Sequence, residues 1–171
     1  RDVKALLATL FAARGTVMLT MGDEGGRSQR GNNNAYCQDN AITWLDWEML
    51  DEELVLYTRF LAGLRKRFDV FSRADFFTGV DEDICWLSPT GAPMTVGEWE
   101  AEEQGQLGMV VKTRDGSKAI ATRLAVLFTR GGGPVSFRLP GLLWRELEGG
   151  QSGATFTVPA RSVLFAVEEP Q

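Results

Sequence analysis

Histidine is absent from all 171 residues. Imidazole is the side chain that most readily exchanges a proton near neutral pH. The chain by itself therefore carries no histidine-based triad, no imidazole general base and no His-ligated zinc. Cysteine is scarce as well. Cys37 and Cys85 are the only two, too few for a disulfide framework or a four-thiolate site. They set the expectation of two reduced thiols in a cytoplasmic protein, with no metal site. Positive charge is in deficit, 18 Lys and Arg against 23 Asp and Glu for a net charge of −5. That balance argues against nucleic acid as a partner, because phosphate neutralisation needs a basic surface. No apolar run approaches the ~20 residues that span a bilayer, so no membrane partner is expected. Nor does a basic segment followed by an apolar one open the chain, as in a secretory signal. Arg1-Asp2-Val3-Lys4 enters a helical pattern directly, without a Ser, Thr or Asn cap, and the sequence reads as cut from something longer.

What is present is ordinary in bulk: 44% hydrophobic and 24% charged residues, in the globular range. The length suits one domain, or one small domain and a piece of another. Val3, Leu6, Leu7, Leu10 and Phe11 recur at helical spacing, with Gly15 placed as a stop. Thr16 to Met21 is short, apolar and β-prone, and is expected to form a buried strand. A second helix is predicted over about Glu52 to Phe68, capped by Asp51, with Leu54, Tyr57, Leu61, Leu64 and Phe68 as its apolar stripe. Arg65-Lys66-Arg67 complement the dipole at its end. Helix, buried strand, long loop and helix make one unit of an α/β architecture.

After about Ser72 turn signals recur, and short strand-like runs lie between them: Ile84 to Leu87, Leu107 to Thr113, Ile120 to Thr129, Val135 to Leu139, Trp144 to Leu147, Thr155 to Val158 and Ser162 to Val167. Their spacing suggests a β-sandwich. Thr95 and Glu98 are placed to form a capping box for a single helical turn carrying Trp99. The acidic run between Arg73 and Lys112 contains no Arg or Lys and reads as a solvated face.

The informative stretch is the loop of roughly thirty residues after Met21, long enough to be functional or disordered. Tyr36, Ile42, Trp44, Leu45 and Trp47 make it too apolar for disorder. All four asparagines of the chain fall between Asn32 and Asn40. Asp23, Glu24, Arg27, Gln29, Arg30, Asn32, Asn33, Asn34, Tyr36, Gln38 and Asp39 supply paired donors and acceptors suited to a hydroxyl-rich ligand. Tyr36, Trp44 and Trp47 offer flat faces for sugar rings. The competing reading assigns Asn and Gly to turn geometry and the tryptophans to plugging a barrel edge. A phosphate cradle lacks its frame at Gly25-Gly26-Arg27-Ser28. A calcium loop lacks the alternation of oxygen ligands. Adjacent Asp23 and Glu24, leaving a strand in opposite directions, make a poor catalytic pair.

These residues also carry a resemblance. Gly15 to Leu19, Gly22-Asp23-Glu24, Arg27, Gln29, the run Gly31-Asn32-Asn33-Asn34-Ala35-Tyr36-Cys37-Gln38-Asp39-Asn40 and the box Trp44-Leu45-Asp46-Trp47 closely resemble bacterial glycogen debranching enzymes. These are isoamylase-like members of the α-amylase superfamily, glycoside hydrolase family 13. The likeness continues through Trp86 to Gly91, Met94, Trp99, Leu107 to Met109, Leu127-Phe128, Val135 to Pro140 and Val158 to Val163. Val17 stands where that family usually has proline. Gly25 stands where an aromatic is common, which is expected to loosen the packing behind the loop.

The resemblance implies an α+β chain in two parts. Residues 1–69 would be the terminal helix–strand–helix of a (β/α)8 barrel: helix 7, strand 8, a long loop and helix 8. Residues 70–171 would be an antiparallel C-terminal β-sandwich. It also implies that the parent hydrolyses α-1,6 branch linkages of glycogen or limit dextrins with retention, and that its three catalytic carboxylates lie before Arg1. No catalytic residue, metal or cofactor is then expected here, and the chain alone should be inactive. Asp23, Glu24, Arg27, Asn32, Asn33, Asn34, Tyr36, Gln38 and Asp39 are the expected substrate-binding residues, with an α-glucan as partner.

A different class of function is a non-catalytic carbohydrate-binding or structural sandwich, with Trp86, Trp99 and Trp144 as platform, against which core packing is the simpler alternative. A relative acting on maltooligosyl-trehalose or forming branches is disfavoured by the loop motifs. A strand at 16–21 without barrel neighbours leaves an apolar edge, so residues 1–60 are expected to pack on the sandwich in a non-barrel arrangement or to self-associate.

Overall fold

Both long helices form where the sequence pattern places them. The computed structural model describes residues 1–141 and 143–169. Helix α1 (Asp2–Ala12) buries Leu7, Ala8, Phe11 and Ala12 on one face and ends at Ala13, which turns extended. Helix α2 (Glu52–Arg67) begins at Asp51, whose carboxylate accepts the Leu54 N–H at 3.0 Å. That bond satisfies one orphan donor of the first turn. Leu54, Tyr57, Leu61 and Leu64 are buried along α2 and Phe68 just beyond it, so the predicted stripe is the buried one. A one-turn helix α3 (Val96–Glu100) carries the expected Thr95–Glu98 capping box.

The strands are β1 (Ile84–Leu87), β2 (Gln106–Asp115), β3 (Ile120–Thr129), β4 (Val135–Arg138), β5 (Trp144–Glu146), β6 (Ser152–Gly153), β7 (Thr155–Val158) and β8 (Ser162–Glu168). All pairings are antiparallel. Six strands form one sheet in the order β1-β2-β3-β8-β5-β6, and β4 pairs with β7 in a separate ribbon. The seven predicted runs correspond to strands; β6 is too short to leave a hydropathy signal.

Alternation along the central strands explains the layering. Met109 and Val111 of β2, Leu124 and Val126 of β3, and Phe165 and Val167 of β8 share a core with α1, α2 and the turn Asp69–Phe71. Their neighbours Val110, Ala125, Leu127, Leu164 and Ala166 share the opposite core with Phe137 of β4 and Phe156 and Val158 of β7. The sheet is thus covered on one face by helices and on the other by the ribbon. Unbroken buried runs such as Leu124 to Leu127 follow from that double coverage.

The joint between helices and sheet is polar. Arg67, the last residue of α2, donates from Nε to Asp115 Oδ1 at 3.0 Å and from Nη2 to Oδ2 at 2.6 Å. The Asp115 side chain is only 2% exposed. Hydrogen bonding from Arg67, opposed by burial and aided by Ser117, holds its carboxyl well below the usual carboxylate range. Asp69 Oδ1 adds a second tie by accepting from Thr113 Oγ1 and the Arg114 N–H.

The expected strand at Thr16 to Met21 does not form. The segment joins no ladder among the described residues. Met18 and Met21 are exposed, while Val17 and Leu19 rest against the helical core. A strand needs a neighbour to take its alternating N–H and C=O groups, and the sheet of this molecule lies elsewhere. Apolar β-propensity by itself therefore does not produce a strand here.

Candidate functional site

The loop between residues 22 and 50 opens on a left-handed glycine. Gly22 has φ +97°, a conformation costly for any residue with a Cβ. A Cβ there would lie 2.7 Å from Arg27 Cδ and 2.8 Å from Leu45 Cδ1, so Arg27 and Leu45 close over the turn. Arg27 returns its N–H to the Gly22 carbonyl at 2.9 Å, and its Nη2 donates to the Thr43 carbonyl at 2.6 Å. These contacts tie the two ends of the asparagine-rich stretch together.

Asn40 and Asp39 organise the second half. Asn40 Oδ1 accepts the Ile42 N–H at 2.9 Å, its Nδ2 donates to Gln38 Oε1 at 2.9 Å, and its carbonyl accepts the N–H groups of Thr43 and Trp44. Trp44 Nε1 donates to Asp39 Oδ1 at 2.8 Å, which fixes the plane of an indole that is 62% exposed. Thr43 Oγ1 donates to the Gln38 carbonyl at 2.7 Å. The loop has no regular secondary structure beyond the turn Asp23–Gly25, yet its side chains and backbone hold one another.

The predicted site residues thus divide in two. Glu24 Oε2 accepts the Gly22 N–H at 2.9 Å, Asn32 Oδ1 accepts the Asn34 N–H at 2.9 Å, and Arg27, Gln38 and Asp39 make the contacts just described. Asp23, Asn33, Asn34 and Tyr36 are exposed, and their side chains hydrogen-bond to no other described residue. Tyr36 is 91% exposed and Trp47 71%. What the loop presents is therefore a set of open amides, a carboxylate and flat aromatic faces over a self-bonded frame, which is chemistry for binding rather than bond breaking. Asn40 and Thr43 were not among the predicted residues. Asn40 belongs to the same motif, and the Asx-turn habit of asparagine was the signal that identifies it.

Gly25 corrects an expectation. The space behind it is filled, not loosened: a Cβ at this buried glycine would meet Leu50 Cδ2 at 2.5 Å and Leu50 Cβ at 3.1 Å. Leu50 occupies the volume that a larger side chain would take. Behind the loop lies a cleft of about 670 Å³ bordered by Gly26, Met49, Tyr57 and Glu148. Burial first, and then the charge of Glu148, pushes the Tyr57 hydroxyl up to about 12. It stays protonated at neutral pH and provides no base.

The three tryptophans proposed as a sandwich platform also separate. Trp144 is fully buried, with Nε1 donating to the Pro140 carbonyl at 2.9 Å and the Arg123 guanidinium 5.4 Å from its ring. It belongs to the core between sheet and ribbon. Trp86 and Trp99 are exposed and meet edge to face, with ring centroids 5.9 Å apart.

No protein-family model matches the chain. In sequence it is 49% identical over 99 residues to a glycogen debranching enzyme of Klebsiella pneumoniae, a stretch covering 58% of this chain and 15% of that enzyme. It is 48% identical over 97 residues to one of Cronobacter sakazakii, again 15% of its length. The matched region is thus a small part of the curated relatives. In structure, 98% of the chain superimposes on 23% of a pullulanase from Anoxybacillus sp. LM18-11, with a TM-score of 0.75 at 16% identity. That pullulanase has also been crystallised with maltotriose and with maltotetraose. The relationship to debranching enzymes rests on sequence, and the pullulanase likeness shows that the fold is shared.

Proposed function

We propose that this chain is the C-terminal portion of an α-glucan debranching glycoside hydrolase, one that cleaves α-1,6 branch linkages of glycogen or limit dextrins. The observation that carries the proposal is the loop of residues 22–50. It holds the debranching-enzyme motif on a frame that leaves Asp23, Asn33, Asn34 and Tyr36 free and fixes the Trp44 ring through Asp39. The near half identity to glycogen debranching enzymes over 99 residues supports the same reading.

In this proposal residues 1–69 are the closing part of a (β/α)8 barrel and residues 70–171 its C-terminal sandwich. Thr16 to Met21 takes up its strand only beside the barrel strands of the whole enzyme, and self-association through that edge belongs to the isolated chain. The loop lines substrate subsites at the barrel mouth, with amides and Asp23 meeting hydroxyl groups and Tyr36 and Trp44 meeting the C–H faces of glucose rings. Hydrolysis proceeds with retention, through a pair of carboxyl groups on opposite sides of the scissile bond that this chain does not supply. The free thiols Cys37 and Cys85 fit a cytoplasmic setting.

Two assays test it. The purified 171-residue chain should release no reducing ends from an α-1,6-branched dextrin, and measurable hydrolysis would refute the division of labour. In a whole debranching enzyme carrying this loop, replacing Asn33, Tyr36 or Gln38 with Ala should lower turnover of branched substrate. Unaltered kinetics across all three would assign the loop to scaffolding.

A further inference from the structure

Trp86 and Trp99 lie far along the chain from the loop, on elements with independent supports. Trp86 is on edge strand β1, and its carbonyl accepts the Met94 N–H at 2.9 Å, while Leu87 and Pro93 form an isolated bridge. This doubles the chain back toward α3. There Thr95 Oγ1 accepts the Glu98 N–H at 3.3 Å and the Thr95 N–H donates to Glu98 Oε2 at 2.8 Å, fixing the turn that carries Trp99. Both indoles are therefore exposed, at 38% and 51%, yet held on locked backbone. Such preorganisation lowers the ordering cost of binding.

The pair lines a surface groove of about 770 Å³. Its apolar floor includes Leu107 and Phe128, and its rim carries Glu102, Gln104, Gln106 and Arg130. Gln104 Nε2 donates to the Gln106 carbonyl at 3.0 Å, and Arg130 Nη2 to the Glu102 carbonyl at 3.2 Å. That leaves the Glu102 carboxylate and the Gln106 amide free of protein partners among the described residues. The end toward α1 adds Asp2 and Arg161, paired at 3.1 Å. Two acids and two guanidiniums balance around the groove. It favours a neutral ligand with an apolar face and many hydroxyl groups over a phosphate, an acid or a polycation.

We infer that this groove is an accessory binding site for a neutral α-glucan chain. Glucose C–H faces pack on Trp86 and Trp99, and hydroxyl groups meet Glu102, Gln104 and Gln106. The choice of glucan rests on the proposed function. The site does no chemistry: it tethers polysaccharide through the sandwich, separately from the loop.

Calorimetry and tryptophan fluorescence of the full 171-residue chain with maltoheptaose test the inference. The expected result is saturable binding with an emission change, weakened about tenfold or more by Trp99→Ala and by Trp86→Ala and largely kept by Trp99→Tyr. Unchanged thermal melting would show that these exposed replacements leave the fold intact. Tyr36→Ala should leave groove binding unaltered. Binding that Tyr36→Ala abolishes and Trp99→Ala spares would overturn the accessory site while leaving the loop reading standing. No binding at all would also overturn it, with the loop still judged by turnover in the whole enzyme. Self-association of the chain that Trp99→Ala abolishes, without any sugar effect, would give the groove to a second copy and equally refute the inference.

Discussion

The sheet and the loop are held together by different means. Along β2, β3 and β8 the backbone is paired in ladders on both sides, and these central strands are buried on both faces. Between residues 13 and 51 regular pairing stops, and isolated turn bonds of the backbone are joined by side chains bonding to it. Arg65 illustrates the substitution. Its Nη1 donates to the carbonyls of Phe11 at 2.8 Å and Ala13 at 2.5 Å, and its Nη2 to those of Gly15 and, at 3.1 Å, Phe71. One guanidinium thus satisfies the frayed end of α1 and pins the segment after it. In the sheet stability is spread over many equivalent bonds. In the loop it is concentrated in Arg27, Asp39 and Asn40, with Arg65 of α2 bracing the segment before it, so single replacements within the loop should change local order more than global stability.

The largest effect is expected in the sheet region. Trp144→Ala removes a fully buried indole between sheet and ribbon and should cost about 3–5 kcal/mol in denaturant unfolding. A loss below about 1 kcal/mol would mean that the ribbon side of the core is not cooperative with the rest.

The polar joint comes next. Asp115→Ala leaves Arg67 without its bidentate partner and should cost about 2–3 kcal/mol, toward the low end because Arg67 reaches solvent. The pair also has a pH signature. The folded carboxyl is held below its ordinary value, so the unfolded state binds the proton more readily. The contribution is then fully present above about pH 5 and is lost as pH falls through the ordinary carboxylate range toward the depressed native value. Asp115→Asn should flatten that acid limb of the stability curve, and an unchanged slope would assign it to other carboxylates.

Arg65→Ala separates the two regions more sharply. It should cost about 2 kcal/mol and, in hydrogen exchange or limited proteolysis, expose residues 13–21 well before the sheet. Uniform loss of protection across both regions would show that they unfold as one unit. The smallest global effect belongs to Asp39→Ala. Melting should shift by no more than about 0.5 kcal/mol in stability, while Trp44 emission changes as its indole loses the 2.8 Å hydrogen bond. A large global loss would contradict the picture of a locally self-supporting loop.

Helix positions were legible because they depend on neighbours in the chain: the Asp51 cap, the Thr95–Glu98 box and the stripe from Leu54 to Leu64 all follow local spacing. Strand runs were legible for the same reason, through alternation and turn residues. Thr16 to Met21 has strand propensity yet joins no ladder in this chain, because strand formation needs a partner that is not local. Trp144 and Trp99 were indistinguishable by residue type, yet one sits in the core and the other on the surface. The loop motif singled out a set of polar and aromatic side chains, but not that Gln38 and Asp39 spend hydrogen bonds on Asn40 and Trp44.

The sequence by itself determined where the helices and most of the strands lie, which of their faces are apolar, and which motif marks the loop, since these are properties of residues a few positions apart. Only the tertiary structure decided that α1 and α2 cover one face of the sheet, that Asp115 locks onto Arg67, and that Leu50 fills the space behind Gly25. It also decided that Trp86 and Trp99 meet over a charge-balanced groove. Those outcomes depend on partners tens of residues apart, and hydrogen-bond satisfaction and volume filling become defined only once the partners are in place.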